Sequence, residues 1–295
     1  MPRWSEPLAS AYAACARVAQ SHYENFPVAS RCLPPAMRPH VAAVYAFARI
    51  ADDIADEGIA PASARLSRLD EWRERLHQAA GGNGQEAATG RDAPVLMALG
   101  HSIRTLDLPL SLFDDLLSAF GQDTMTARYA SWPDVFDYCR RSANPVGRLV
   151  LRIAGYRDQV LDRSSDRLCT ALQLTNFWQD FGRDWRAGRL YVPRDVMDRC
   201  GASERDLSSG RMTPAWTDAI QSCVTVTRDC FRDGRAVCDG VRGRLRLELR
   251  LTWLGGRRIL DRAERTRMNL LDARPTLGSA DVPGLIWRAA RWGGV

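Results

Sequence analysis

Two acidic helical stripes, about 130 residues apart, constrain this chain more than any other feature. The first is Asp52-Asp53-Ile54-Ala55-Asp56. The second is Asn176-Phe177-Trp178-Gln179-Asp180-Phe181-Gly182-Arg183-Asp184. In each, two aspartates stand four residues apart, which puts them on one helix face a turn apart. Carboxylates crowded into apolar surroundings repel each other and lose hydration. A divalent cation relieves both problems. Mg²⁺ usually keeps several waters, takes one or two carboxylates, and fills its other positions with substrate phosphate. The pattern predicts two facing helices that hold a diphosphate through magnesium.

The rest of the chain reads as helix. Helical apolar spacing or strong helix formers occupy residues 5–22, 38–57, 62–80, 94–106, 109–124, 132–154, 160–185, 213–239, 243–270 and 283–292. The β-branched alternation that marks strands is scarce. Gly81-Gly82-Asn83-Gly84-Gln85, extending to Gly90, is the clearest loop. No break has the composition of a domain linker. The two stripes must act together, so one all-α domain over residues 1–295 is expected. A hydrophobic content of 45% is enough for a substantial core.

The formal charge of +6 is carried by arginine alone, since the chain contains no lysine. A mild basic excess fits anionic ligands, an anionic membrane surface or nucleic acid. No basic run interleaved with aromatics favours the last, so no nucleic-acid partner is expected. The eight cysteines form no CxxC pair and no zinc-spaced cluster with histidine. The start of the chain lacks the apolar core of a secretory signal. A reduced, cytoplasmic setting is expected. No apolar run approaches the length of a membrane span, so a lipid substrate would be met from the surface, peripherally at the inner face of the membrane. The tail Trp287-Arg288-Ala289-Ala290-Arg291-Trp292 fits either a lipid interface or a short packing helix.

Within the first stripe, Arg49 precedes Asp52 by three residues and Asp56 by seven. It can grip a diphosphate oxygen or pair with its own helix; both readings stand at this level. Asp53 lies about 100° around the helix from Asp52, in a supporting or a solvated position. In the second stripe, Gln173, Asn176, Asp180 and Asp184 form a continuous polar line. An exposed face would mix lysine, arginine and glutamate. This line holds only short oxygen-bearing side chains, which suit a hard cation. Arg183 and Arg189 fit phosphate contacts or surface charges, and Arg186 a surface charge. In Tyr138-Cys139-Arg140-Arg141-Ser142-Ala143-Asn144-Pro145-Val146-Gly147-Arg148, small residues and a proline interrupt a helical pattern, predicting a kink or a crossing point. His22 and Phe26 lie in a fourth segment, Ser21 through Pro27, whose residues would ordinarily be surface or core.

Together these segments resemble the squalene and phytoene synthase family of head-to-head isoprenyl diphosphate synthases, from about His22 to Ile259. The carrying pieces are Tyr45 through Asp56, Tyr138 through Gly147, Leu172 through Asp184, and Gly188-Arg189-Leu190-Tyr191-Val192-Pro193. The resemblance implies an isoprenoid-synthase fold around a central apolar cavity. It implies Mg²⁺ as cofactor, with Asp52, Asp56, Asn176, Asp180 and Asp184 as the metal residues. By the same match His22, Phe26, Arg49, Gln173, Asn176 and Arg189 meet the substrate. Arg49, Tyr138, Asn144, Gln179 and Tyr191 are the catalytic candidates.

Within the family the likeness is nearest to the hydroxysqualene synthases of hopanoid biosynthesis. These take presqualene diphosphate and water to hydroxysqualene and diphosphate, and a separate paralogue supplies the presqualene diphosphate. Gln179 stands where phytoene and dehydrosqualene synthases show arginine, and Asn144-Pro145 where they show Gly-Thr. The alternatives are a presqualene diphosphate or squalene synthase acting on farnesyl diphosphate, and a non-catalytic assembly factor. Neither Gly-rich dinucleotide fingerprint nor reductant site is evident.

Overall fold

The computed structural model describes residues 4–21, 32–56, 60–82 and 90–293. The described residues are helical, with one isolated bridge pairing Arg128 and Leu190 and no strand. In chain order the helices are α1 (Glu6–Ser21), α2 (Arg38–Asp56), α3 (Ala62–Ala80), α4 (Ala93–Leu106), α5 (Leu110–Asp123), α6 (Trp132–Ser142), α7 (Asn144–Ile153) and α8 (Gln159–Gln179). They continue with α9 (Phe181–Arg186), α10 (Arg194–Cys200), α11 (Glu204–Ser208), α12 (Pro214–Gly234), α13 (Val237–Gly240), α14 (Gly243–Arg265) and α15 (Val282–Arg291). They form two compact units, Met1–Met125 with Pro145–Asp158, and Thr126–Asn144 with Gln159–Val295.

The first unit is organised by α2, which touches α1, α3, α4 and α5. Its inward face is nearly all alanine, valine and phenylalanine, so neighbours approach closely and Phe47 is fully buried. Phe47 stacks on Trp72 of α3 with centroids 5.5 Å apart and meets Phe113 of α5 edge-on at 5.6 Å. Both are preferred aromatic arrangements. A polar knot ties α1 to α2 and α4. The Tyr12 hydroxyl lies 3.2 Å from His40 Nδ1, 2.8 Å from His101 Nδ1 and 2.8 Å from Ser102 Oγ.

The second unit is built on α8, which packs on α6, α12, α13 and α14. Gly234 makes the α8–α12 approach feasible: a Cβ there would lie 2.5 Å from the Leu168 nitrogen. Buried Trp178 donates to Thr227 Oγ1 at 2.8 Å, and Thr227 donates to the Cys223 carbonyl at 2.8 Å. The buried indole nitrogen is thereby satisfied within the core.

Three expected helices are broken. Residues 132–154 divide at Ala143 into α6 and α7. Pro145 has no N–H for a helical bond to the preceding turn and so favours the break. Residues 160–185 divide at Asp180, whose φ of −96° and ψ of 12° leave the helical region. Residues 213–239 end at Gly234, and α13 follows separately. Two short helices, α10 and α11, lie in a stretch where the sequence pattern is too brief to mark them.

Candidate active site

In the first unit the acidic stripe occupies the last turns of α2. Arg49 donates from Nη1 to Asp52 Oδ2 at 3.0 Å, and its Nη2 pairs with Asp53 Oδ1. The intrahelical pair is therefore present, and Asp53 shares in it. Asp52 keeps 41% of its side-chain surface exposed, so the pair leaves that carboxylate open to solvent. Asp56 is exposed at the helix end. Tyr45, one turn before Arg49, joins this face. Burial raises its pKa, and the charges of Asp52 and Asp53 push the same way against Arg49. Tyr45 lay within the matched motif, but spacing alone gave it no role.

In the second unit the acidic stripe turns a corner. Asp180 closes α8 and precedes α9, yet the one-turn spacing survives. The Asp180 nitrogen donates to the Asn176 carbonyl at 2.8 Å, and the Asp184 nitrogen to the Asp180 carbonyl at 2.9 Å. Asn176 Nδ2 donates to Asp180 Oδ2 at 2.9 Å. Gln173 lies one turn earlier and is half-buried. Arg189 Nε stands 3.6 Å from Asp184 Oδ1, and Arg183 Nη1 stands 3.9 Å from Asp180 Oδ1. Asp180 and Asp184 expose only 15% and 16% of their side chains. Desolvated to that degree, each carboxylate needs a nearby positive charge.

The strongest partner of Asp180 was not legible in the sequence. Arg274 donates from Nε to Asp180 Oδ1 at 2.5 Å and from Nη2 to Oδ2 at 3.3 Å. Residues 270–275 reach this corner because Gly182 has no side chain: a Cβ there would lie 2.0 Å from the Leu271 carbonyl oxygen. Gln179 Nε2 donates to the Pro275 carbonyl at 2.6 Å, and Arg186 Nη2 to the Leu271 carbonyl at 2.5 Å. Arg186 is thus a tether rather than a bare surface charge. Gln179, a catalytic candidate, spends its amide nitrogen holding this segment.

Tyr138 and Tyr191 come together in the same unit. Tyr191 stacks on Phe177 with centroids 3.7 Å apart and planes 3° from parallel. Tyr138 lies 6.1 Å from both rings, and Tyr129 lies 5.7 Å from both tyrosines. Backbone pairing places two of these rings. Leu190 donates to the Ala127 carbonyl and Arg194 to the Tyr129 carbonyl, each at 3.0 Å. The 127–130 and 188–194 segments therefore run together. Tyr129 and Phe177 were not candidates, since aromatic residues in isolation read as core. Asn144 is buried and accepts a hydrogen bond from Thr170 Oγ1 at 3.0 Å, which ties the α6–α7 break to α8. His22 and Phe26 lie outside the described residues.

The donors are hard oxygens at one-turn spacing, the chemistry that Mg²⁺ takes. Among the described residues, no group of three or more His, Cys, Asp or Glu side chains gathers around a metal position. Each stripe presents two carboxylates at that spacing, and the first also carries Asp53, which pairs with Arg49.

The squalene/phytoene synthase pattern matches residues 19–280. A hydroxysqualene synthase of Rhodopseudomonas palustris is 36% identical over 228 residues, 77% of this chain and 74% of that protein. One of Zymomonas mobilis is 37% identical over 212 residues, 71% of this chain and 68% of that protein. A crystal structure described as squalene synthase HpnC from Alicyclobacillus acidocaldarius superposes with a TM-score of 0.82 at 39% identity, covering 90% of this chain and 97% of that one.

Proposed function

The chain belongs to the squalene/phytoene synthase family, and on that premise we propose that it is a hydroxysqualene synthase. It converts presqualene diphosphate and water to hydroxysqualene and diphosphate. The observation that carries this reading is the extended similarity to hydroxysqualene synthases over most of both chains. Both aspartate pairs are intact, which favours an enzyme over a non-catalytic relative.

The substrate ionises by breaking its carbon–oxygen bond. Diphosphate leaves with the electron pair, and a cyclopropylcarbinyl cation remains. The cation rearranges with ring opening, the oxygen of water attacks the resulting allylic cation, and one proton is released. Asp52, Asp56, Asn176, Asp180 and Asp184 would hold Mg²⁺, which neutralises charge on a departing diphosphate. Arg49, Arg189 and Gln173 would bind the same anion. Arg274, already on Asp180, adds a positive charge beside that carboxylate. The faces of Tyr129, Tyr138, Phe177 and Tyr191 offer the negative quadrupole that attracts a cation. Dense aromatic packing keeps stray water from such a surface.

A separate presqualene diphosphate synthase would supply the substrate, and the substrate's hydrocarbon body implies contact with a membrane surface. Among the described residues, no helix is long and apolar enough to cross a membrane.

The test is product analysis. With presqualene diphosphate and Mg²⁺, and no nicotinamide cofactor, the enzyme should release a C30 alcohol. In H₂¹⁸O its oxygen should be labelled, because the new carbon–oxygen bond forms after diphosphate leaves. The relative described as a squalene synthase favours a second reading. Squalene formed only with NADPH would establish that reading instead.

A further inference from the structure

Helix α15 is anchored on one side and apolar on the other. Ala289 and Trp292 bury its inner edge. Trp292 meets Trp253 of α14 edge-on at 5.5 Å, and the guanidinium groups of Arg235 and Arg250 lie over its ring at 4.9 and 5.0 Å. A surface helix ordinarily turns polar residues outward. Here Val282, Ile286 and Trp287 remain 49%, 50% and 57% exposed. At helical spacing they cover an arc of about 140°. Arg291 borders that arc, its guanidinium 4.7 Å from the Trp287 ring centroid, and Arg288 lies on the other side of the helix, toward α14.

Charge identifies the partner. Residues 242–291 carry twelve arginines against five carboxylates, a net of +7, so the remainder of the chain is at −1. The whole positive excess lies in the segment that ends with the exposed apolar helix, most of it on α14. Beside α15, a cleft is lined by Trp253, Leu254, Arg257, Arg258, Asp261 and Arg288. Asp261, its one carboxylate, already pairs with Arg228 at 3.1 Å. Arg257 Nε is buried there without a hydrogen-bond partner among the described residues. Its guanidinium lies over the Trp253 ring, 5.3 Å from the centroid, and a guanidinium with an unfilled donor can take an anionic oxygen.

We propose that the outer face of α15, with the arginine cleft beside it, seats this protein on an anionic lipid bilayer. Tryptophan and aliphatic residues would enter the interface while arginines meet headgroup phosphates. A second copy is disfavoured, because it would bring two strongly positive segments together. The proposal deepens the functional reading and rests on it for one point: a C30 substrate partitions into bilayers.

The test is co-sedimentation, without substrate, using vesicles of phosphatidylcholine alone or mixed with phosphatidylglycerol. The protein should bind the mixed vesicles about tenfold or more tightly than the neutral ones, and added salt should weaken that binding. Ile286→Asp with Trp287→Asp should lower binding about tenfold or more. It should leave the melting temperature and the turnover of detergent-dispersed substrate unchanged. If that pair fails to fold, Ile286→Ser with Trp287→Ser replaces it. Arg288→Gln should reduce the preference for anionic lipid. The proposal falls if the protein stays in the supernatant, if neutral and mixed vesicles bind it equally, or if the α15 variants bind as well as the parent. It also falls if those variants convert a dimer to a monomer in sedimentation equilibrium, which would assign the face to a second copy. Absence of vesicle binding by the parent protein, with its alcohol formation intact, removes this inference alone. Vesicle binding without alcohol formation removes only the functional reading.

Discussion

At the scale of single residues, Asp180 joins Asn176, Arg183 and Arg274 in the candidate site. It accepts from Asn176 and twice from Arg274, with Arg183 nearby. Replacing it with alanine removes a predicted metal ligand and leaves a partly buried guanidinium facing an apolar methyl. Turnover should fall by about 10²–10³ or more, the scale of losing a preorganised electrostatic contact. Helical content by circular dichroism should persist, because the backbone bonds on either side of residue 180 do not use the carboxylate. Near-normal turnover of Asp180→Ala at saturating Mg²⁺ would remove the second stripe from the site. Gly182 gives a complementary prediction. Gly182→Ala forces a methyl into the Leu271 backbone and should destabilise the protein by about 1–3 kcal/mol, as overpacking does. A denaturant melt measures that loss. Turnover should fall as well, since the same displacement draws Arg274 away from Asp180.

At the scale of elements, the knot joining α1, α2 and α4 contains two histidines. Burial lowers the pKa of His40, and His101 adds to the effect. Burial also lowers that of His101, and Arg104 contributes. Their other near neighbours are neutral: Ser102, the buried Cys15, and Tyr12, whose pKa burial raises to about 12. The folded state therefore binds these protons less readily than the unfolded chain. Stability is fully present above the ordinary histidine value and is lost as pH falls through it toward the depressed folded values. Carboxylates held low by arginine, such as Glu204 and Glu264, lose their contribution only at more acidic pH. Melting temperature should therefore decline on going from about pH 7 to about pH 5.5. His40→Gln with His101→Gln should flatten that interval. An equally steep decline in the double variant would place the titration elsewhere.

At the scale of the whole molecule, the two aspartate pairs belong to different compact units. If both serve one diphosphate, inorganic diphosphate with Mg²⁺ should stabilise the protein by about 2.7 kcal/mol at a hundredfold excess over Kd. Asp52→Asn and Asp180→Asn should each erase most of that gain. The double variant should do little more than either single one, since groups acting on one ligand are non-additive. Additive, partial losses would mean two independent anion sites.

The all-helical class and the one-turn aspartate spacing were legible in the sequence because both follow from local periodicity. Asn176, Asp180 and Asp184 keep helical register even across the corner at Asp180, so counting residues located them correctly relative to one another. The corner itself was not legible, since nothing in the apolar pattern of 160–185 marks a break. Tertiary structure alone brought Arg274 to Asp180, assembled Tyr129, Tyr138, Phe177 and Tyr191, and spent the amide of Gln179 on the Pro275 carbonyl. These contacts join residues up to 96 positions apart. Local propensity fixes which face a side chain occupies on its own helix. Which distant segment meets that face depends on packing, here on a glycine small enough to let another backbone approach.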